Sequence, residues 1–475
     1  MRKLLYITLA AGLFVVSSCE KDLNTSPSTS LPADQAITNI EDLQLAFNGV
    51  MQMLSVNRGA YASDFTLYAD CKGGDVKLIG DNGQITPLIK YEITKNHLIP
   101  TAIYQGFYQP IAFANMALEA GENLGLSTDA YKSLKGQLLA IRAIVHFDIA
   151  RAYAQLPTLT GVDMNRAGSG IVISDQVFPV NTKFTRATLR ETYEFITTEL
   201  ENAIPLMSIN KVAGGINQWG AKAILARAYL YMGRYTDAFN TAKDVIENNG
   251  GRYSLFTHSN YVASWRLVDA SESLCEVYTS DNIVNNPQRN SIGYYCDPNG
   301  YAEVAASDDM ITLLNGMDLN DIRKLSITQR STSTGTRTGY YTIKYSGQTN
   351  ATTPLYTNNP KLIRLAEVYL IAAEAALKGG ATIVDALKYY NDLRRSRYAE
   401  ATYTDAIAIT IGDILEERRI ELFCEGHRLF DLVRNNLPVT VGTTTRQPNA
   451  FDIILPIPQV ETDINPDLLP NPGYN

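Results

Sequence analysis

The stretch Ala226-Arg-Ala-Tyr-Leu-Tyr-Met-Gly-Arg-Tyr-Thr-Asp-Ala-Phe-Asn-Thr-Ala242 decides the fold. Small side chains at Ala226, Ala228, Ala238 and Ala242 recur with bulky ones at Tyr229, Leu230, Tyr235 and Ile246, all at helical spacing. Gly233 interrupts them where a chain must turn. Within Trp219 to Asn248 the pattern therefore predicts two antiparallel helices joined near Gly233, with small residues admitting close approach and bulky ones filling the seam.

Small, small, bulky, turn and packing residues in this order are those of a tetratricopeptide-like repeat. A second copy lies in Leu362 to Arg395, where Gly379 stands for Gly233 and Ala386 for Ala238, with two residues inserted in the turn. Leu138, Ile141, Val145, Ile149, Ala152 and Leu156 step along one helical face that Pro157 should end. Further amphipathic helices are expected at 39–56, 101–124, 188–204 and 411–434. Between about Tyr278 and Pro360 the helical period fails. Asn, Ser, Thr, Gly and Tyr dominate there, with strand-like pieces such as Tyr340 to Tyr345. The expected architecture is mainly α: a tetratricopeptide-like helical-repeat scaffold with an irregular, loop-rich insertion carrying short strands. It forms one body over 34–475, made of an N-terminal helical part (34–260), the insertion (278–360), and a C-terminal helical part with its tail (361–475).

The 475 residues are 45% apolar and 19% charged, the composition of a packed globular chain. At the N-terminus, Arg2 and Lys3 precede an apolar run from Leu4 to Val16, too short to span a bilayer and laid out as a secretory signal over 1–18. The run closes on Val-Ser-Ser-Cys at 16–19, resembling a bacterial lipobox, which makes Cys19 the expected lipidation site. A polar tether follows over 19–33, and its Glu20, Lys21 and Asp22 resemble a surface-export signal of Bacteroidetes lipoproteins. Net charge is −8, and −10 once Arg2 and Lys3 leave with the signal, which speaks against nucleic acid as a partner.

Several motifs together resemble one family, the SusD/RagB-like outer-membrane nutrient-binding lipoproteins of Bacteroidetes. They are Ile414-Leu-Glu-Glu-Arg-Arg-Ile-Glu-Leu-Phe-Cys-Glu-Gly-His-Arg-Leu-Phe-Asp-Leu-Val-Arg434, and the tail residues Leu455-Pro-Ile-Pro458, Glu461, Asn465-Pro466, Leu468 and Asn471-Pro-Gly-Tyr474. Ile141-Arg-Ala143 through Pro157 and Leu362 to Ala376 also match. Pro470 and Cys424 depart from the family pattern. The resemblance implies four tetratricopeptide-like units and a lipid anchor in the outer membrane facing the extracellular side. It further implies a SusC-like TonB-dependent transporter as partner, to which an oligosaccharide, or in some branches a peptide, is delivered without catalysis. A different reading of the same repeats is a periplasm-facing scaffold that binds protein partners.

The charged run around Glu425, His427 and Arg428 has the residue types of an active site, but the i,i+3 pairs Glu416/Arg419, Arg418/Glu421, Glu425/Arg428 and Asp431/Arg434 predict helix-stabilising contacts instead. Gly426 inside such a helix would require a closely packed neighbouring backbone. His97, His146, His258 and His427 fall in no metal-binding spacing, no nucleophile-elbow or nucleotide motif occurs, and neither cofactor nor metal is expected. Asp308/Asp309 and Asp318/Asp321 are carboxylate pairs of the glycosidase kind but read as solvated loop acids. Asp297-Pro-Asn-Gly300 opens like a calcium loop and lacks its later ligands. Of the cysteines, a Cys275–Cys296 bridge would staple the start of the insertion, and Cys424 reads as buried and free. Ligand contacts are expected within the insertion: Tyr294, Tyr295 and Tyr301 as stacking rings for sugar C–H faces, with Arg289, Asn290 and Asn299 for hydroxyl groups. Tyr68 and Tyr91, in the irregular stretch before the 101–124 helix, form a second rank.

Overall fold

The computed structural model describes residues 36–474 other than 57, 82, 280–290, 354 and 356. Helix α1 (Ile40–Val56) is followed by the short α2 (Asp64–Gly73) and packs on α3 (Leu98–Asn123). Three more pairs follow: α4 (Asp129–Tyr153) with α5 (Leu189–Ala203), α6 (Gln218–Tyr231) with α7 (Tyr235–Asn248), and α8 (Leu365–Ala375) with α9 (Ile383–Arg397). Each pair leans on the next, α3 on α4, α5 on α6 and α7 on α8, so one apolar core runs through all four.

Local chemistry sets the helix limits. Thr128, Thr188, Asn217 and Thr382 accept hydrogen bonds from first-turn N–H groups, and Thr188/Glu191 and Thr382/Asp385 form reciprocal capping boxes. The two turn glycines recognised in the sequence, Gly233 and Gly379, have φ of 73° and 96°, a left-handed backbone that side chains disfavour. A Cβ on Gly380 would lie 2.4 Å from the Tyr235 carbonyl oxygen, so the fourth turn sits directly on the start of α7. Helix α4 ends at Tyr153, ahead of Leu156 and Pro157, because Ala154 is already extended. The tail motif closes that end: Asn471 Nδ2 donates to the carbonyls of Tyr153 (2.8 Å) and Leu455 (2.7 Å).

The 411–434 helix is in fact two, α10 (Ile411–Glu421) and α11 (Arg428–Arg434). Cys424 and Gly426 adopt φ of 60° and 81°, and their N–H groups donate to the two carboxylate oxygens of Asp70 on α2 at 3.2 and 2.7 Å. A Cβ at 426 would lie 2.9 Å from the Thr66 carbonyl oxygen. Asp70 thus breaks the helix. Of the expected i,i+3 pairs only Asp431–Arg434 forms among the described residues, at 2.8 Å. Arg418 instead crosses the break to Asp431 (2.8 Å) and Arg419 reaches Asp75 (2.6 Å).

Glu421 becomes a hub. Fully buried, it accepts from Arg364 (3.1 Å), Arg397 (3.0 and 2.9 Å) and Arg323 (3.2 Å). Burial alone would raise its pKa, but the guanidinium groups of Arg397, Arg364 and Arg323 hold the carboxyl far below the usual range. Asp321 binds Arg323 at 2.7 Å, Glu272 binds Arg364 and Arg397 at 2.5 and 2.6 Å, and Lys344 donates to Glu425 at 2.6 Å. Arg323 and Lys344 belong to the insertion, which is thereby fixed to α10 and the residues just after it.

Short antiparallel strands complete the attachment: β1 (Val76–Leu78) with β3 (Val304–Ala306), β2 (Ser273–Glu276) with β6 (Lys361–Arg364), and β4 (Ile327–Ser331) with β5 (Thr338–Thr342). The strand expected at Tyr340 to Tyr345 is β5, shifted towards the N-terminus. The 61–100 stretch is not irregular, since it holds α2, β1 and a one-turn helix at Thr86–Lys90. Nor does the Cys275–Cys296 bridge form. Cys275 is held in β2 opposite Ile363, whereas Cys296 ends a turn near Cys71 and Cys424, and all four thiols are buried and free.

Two outcomes follow for stability. Glu421→Ala strands buried guanidinium groups and should cost about 3–5 kcal/mol in urea-induced unfolding; a loss below about 1 kcal/mol would contradict the hub. His146 is buried and neutral, its Nδ1 2.8 Å from the Arg142 carbonyl oxygen and its Nε2 accepting from Ser174 N–H at 3.0 Å, and burial lowers its pKa from 6.5 to about 3. The unfolded chain therefore binds a proton that the folded one refuses. The stability tied to His146 is complete above pH 6.5 and declines as the pH falls towards 3, by about 2 kcal/mol at pH 5. His146→Phe should flatten the stability profile between pH 6.5 and 5, and an unchanged slope would contradict the assignment.

Candidate functional site

The chain around the insertion's tyrosines is folded so that neighbouring rings face opposite ways. Ser291 caps a one-turn helix, Ile292–Tyr295, and Ile292 N–H donates to the Ala62 carbonyl at 2.9 Å, stitching the turn onto the chain just ahead of α2. Tyr295 then points inward and is fully buried, its hydroxyl donating to Asp64 at 2.8 Å. Burial pushes the Tyr295 pKa well up, and burial likewise raises that of Asp64. Tyr294, one residue earlier, stays half-buried at the surface.

Asp297-Pro-Asn-Gly300 returns the chain. Asp297 Oδ1 accepts from Asn299 N–H at 2.8 Å and Oδ2 from Arg330 at 2.6 Å, so both carboxylate oxygens are engaged in building the turn. Gly300 is required here, since a Cβ would lie 2.3 Å from the Tyr294 carbonyl oxygen. Tyr301 N–H then donates to that same carbonyl at 2.8 Å. The Tyr301 ring lands 4.7 Å from Tyr294, edge to face, and 6.0 Å from Tyr295, nearly parallel. The result is a half-exposed pair, Tyr294 and Tyr301, backed by a buried third ring, with Asn299 exposed beside it.

Of the residues expected to bind, the structure brings Tyr294, Tyr295, Tyr301 and Asn299 into one cluster. Tyr295 has no exposed face for a ligand. Tyr68 is also fully buried in α2, its hydroxyl donating to the Ile453 carbonyl at 3.0 Å, and is removed from the binding set for the same reason. Tyr91 lies apart from the cluster, its ring beside two cations, Arg446 at 3.7 Å and Lys72 at 4.3 Å. Arg289 and Asn290 lie outside the described residues, as does Cys19.

Sequence reasoning missed Arg58, half-exposed and paired with Asp64 at 3.2 Å, close enough to Tyr295 and Tyr301 to interact with them electrostatically. Its ion pair with Asp64 is local, but nothing local marks it as a neighbour of the cluster, because Tyr295 and Tyr301 come from across the chain. The carboxylate pairs are separated by their environments: Asp321 is buried on Arg323, Asp318 is exposed, and Asp308, which pairs with Lys77 at 2.5 Å, is exposed with Asp309 at the start of a helix. Among the described residues no group of three or more His, Cys, Asp or Glu side chains is placed to hold a metal ion.

Helical pairs stacked around one core, carrying an aromatic cluster on a braced insertion, define a helical-repeat protein with a loop-rich insertion. Comparison with known proteins makes this specific. The model of the SusD family matches residues 226–452, and that described as "Starch-binding associating with outer membrane" matches 23–230. SusD-like protein P2 of Formosa agariphila is 25% identical, over 98% of this chain and 99% of its own. A SusD superfamily protein of Bacteroides thetaiotaomicron, solved by crystallography, superposes with a TM-score of 0.83 at 28% identity, over 91% of this chain and 100% of its own. A laminarin binding SusD-like protein shares the fold, with a TM-score of 0.69 at 20% identity over 92% of this chain and 99% of its own. The chain belongs to the SusD/RagB-like family, and the second model's description associates it with the outer membrane.

Tyr295→Phe separates structural from binding roles within the cluster. Loss of its hydrogen bond to the Asp64 carboxylate should cost about 1.5–3 kcal/mol of stability, read by urea unfolding. Ligand affinity in the folded fraction should be unchanged, and a large affinity loss at normal stability would place Tyr295 at the binding surface after all.

Proposed function

We propose that this chain is a non-catalytic, lipid-anchored protein of the outer membrane that binds oligosaccharides and delivers them to a SusC-like TonB-dependent transporter. The observation that carries the reading is the Tyr294–Tyr301 pair, two half-exposed rings held edge to face on a braced turn in a chain of the SusD family. Pyranose rings offer apolar C–H faces to such rings, while Asn299 and Arg58 supply hydrogen-bond donors to hydroxyl groups. Rigid aromatics lose little conformational freedom on binding, which favours affinity for a flexible, strongly hydrated ligand. Cys19 supplies the anchor and the polar tether holds the body clear of the membrane, at the extracellular face.

Calorimetric titration of the soluble protein against a panel of neutral oligosaccharides tests the binding claim. Tyr294→Ala or Tyr301→Ala alone should weaken the best ligand roughly three- to tenfold, and the pair together further. A folded Tyr294→Ala/Tyr301→Ala double variant with wild-type affinity would move the site elsewhere. For the anchor, Cys19→Ala should release the protein into the soluble fraction, and protease added to intact cells should shave the wild type. Membrane retention of the variant, or full protection of the wild type, would contradict anchoring and surface exposure respectively.

A further inference from the structure

Helices α4 and α5 are joined by residues 154–188, in which no helix or strand occurs. A connection of that length without regular structure is uncommon inside a compact domain, and such segments are usually functional or disordered. This one is fixed from beneath by buried polar side chains. Asn115 Nδ2 donates to the carbonyls of Ser174 (3.1 Å) and Gln176 (2.8 Å), His146 accepts from Ser174 N–H (3.0 Å), and Arg186 donates to the Gly170 carbonyl (2.8 Å). From the C-terminal tail, Asn465 Nδ2 donates to the Phe184 carbonyl at 2.6 Å. Side chains from two core helices and from the tail thus hold an irregular backbone in one shape.

That shape leaves an open pocket of about 470 Å³ between the connection, α3 and the tail, a volume typical of small-ligand sites. Two pairs of rings line it: Tyr104 and Tyr108 of α3, with centroids 4.5 Å apart, and Phe178 and Phe184 of the connection, 5.0 Å apart and edge to face. Gln176 and Asn181, both exposed, contribute amides to its rim. No lysine or arginine lines the cavity, and its one carboxylate, Glu461, already accepts from Gln105 at 3.2 Å. The nearby cations are engaged with backbone carbonyls, Arg186 with Gly170 and Lys183 with Ile464, and an anionic ligand would find none in the lining itself. A neutral polyhydroxylated ring would find aromatic faces and uncharged hydrogen-bonding groups together.

We propose that this cavity is a second saccharide subsite for a neutral mono- or disaccharide unit, built from none of the residues of the Tyr294–Tyr301 cluster; the proposal rests on the reading of the chain as an oligosaccharide binder. The test is calorimetric titration of maltohexaose and of laminarihexaose into the soluble wild type, a Gln176→Ala/Asn181→Gly variant, a Tyr294→Ala/Tyr301→Ala variant and the four-fold combination. Glycine is chosen at 181 because Asn181 has a φ of 70°, which glycine keeps without strain. With an unchanged melting temperature, the Gln176→Ala/Asn181→Gly variant should bind at least one probe three- to tenfold more weakly. The tyrosine variant should retain weak binding that the combination loses. Wild-type isotherms from the Gln176→Ala/Asn181→Gly variant, or complete loss of binding in the tyrosine variant, would overturn the second subsite and leave the first standing. Absence of binding to both probes by the wild type would count against this subsite for neutral glucans, while the wider oligosaccharide panel still decides the first reading.

Discussion

Glu421 is buried at the end of α10 with three guanidinium groups, from Arg323 in the insertion, Arg364 on β6 and Arg397 at the end of α9. Segments far apart in sequence thus meet at one carboxylate, and none of these charges can be left unpaired at that depth without a large cost. The gain lies in register more than in free energy, because an apolar cluster of equal volume would be about as stable. What it would lack is a unique partner for each segment. Through Arg323 and Lys344 the insertion is locked to the helical scaffold, and through β1–β3 it is locked to the chain near α2. The tyrosine cluster inherits its geometry from those two attachments.

The helical scaffold was legible because its signals are local. Alanine spacing, turn glycines and capping threonines each act within a few residues, and Gly233 and Gly379 take the left-handed conformation their places in the pattern demand. The 411–434 run misled for the converse reason. Its i,i+3 charges are placed as a helix would place them, yet Asp70, more than 350 residues earlier, captures the Cys424 and Gly426 N–H groups and breaks the helix. The charges then pair across the break and across the chain. No window of local sequence contains that information.

The candidate cluster was legible in part, for similar reasons. Aromatic and amide residues concentrated in a segment without helical period marked Tyr294, Tyr301 and Asn299, but which ring of the Tyr-Tyr pair faces outward is set by partners outside the segment, among them the Ala62 carbonyl that holds Ile292 N–H and the Asp64 carboxylate that holds the Tyr295 hydroxyl. Tyr68 was misplaced because a ten-residue helix buried along its whole length, with Asp64, Asp70 and Lys72 buried beside its apolar residues, shows no amphipathic period to read. The long connection 154–188 passed unnoticed in the sequence, since its order comes from Asn115, His146 and Arg186, side chains that look like ordinary core or helix residues until their partners are known. In this chain short-range signals set the helices, while long-range polar contacts set the shape of the candidate binding surfaces.

On the proposed reading, a scaffold braced at Glu421 presents Tyr294 and Tyr301 to an oligosaccharide. A crystal structure of the soluble protein grown with its tightest-binding oligosaccharide tests it most directly. A sugar ring should lie against Tyr294 or Tyr301, with Asn299 or Arg58 within hydrogen-bond distance of a hydroxyl group and Tyr295 still bonded to Asp64. An oligosaccharide bound at full occupancy elsewhere, with no sugar on either exposed tyrosine, would contradict it.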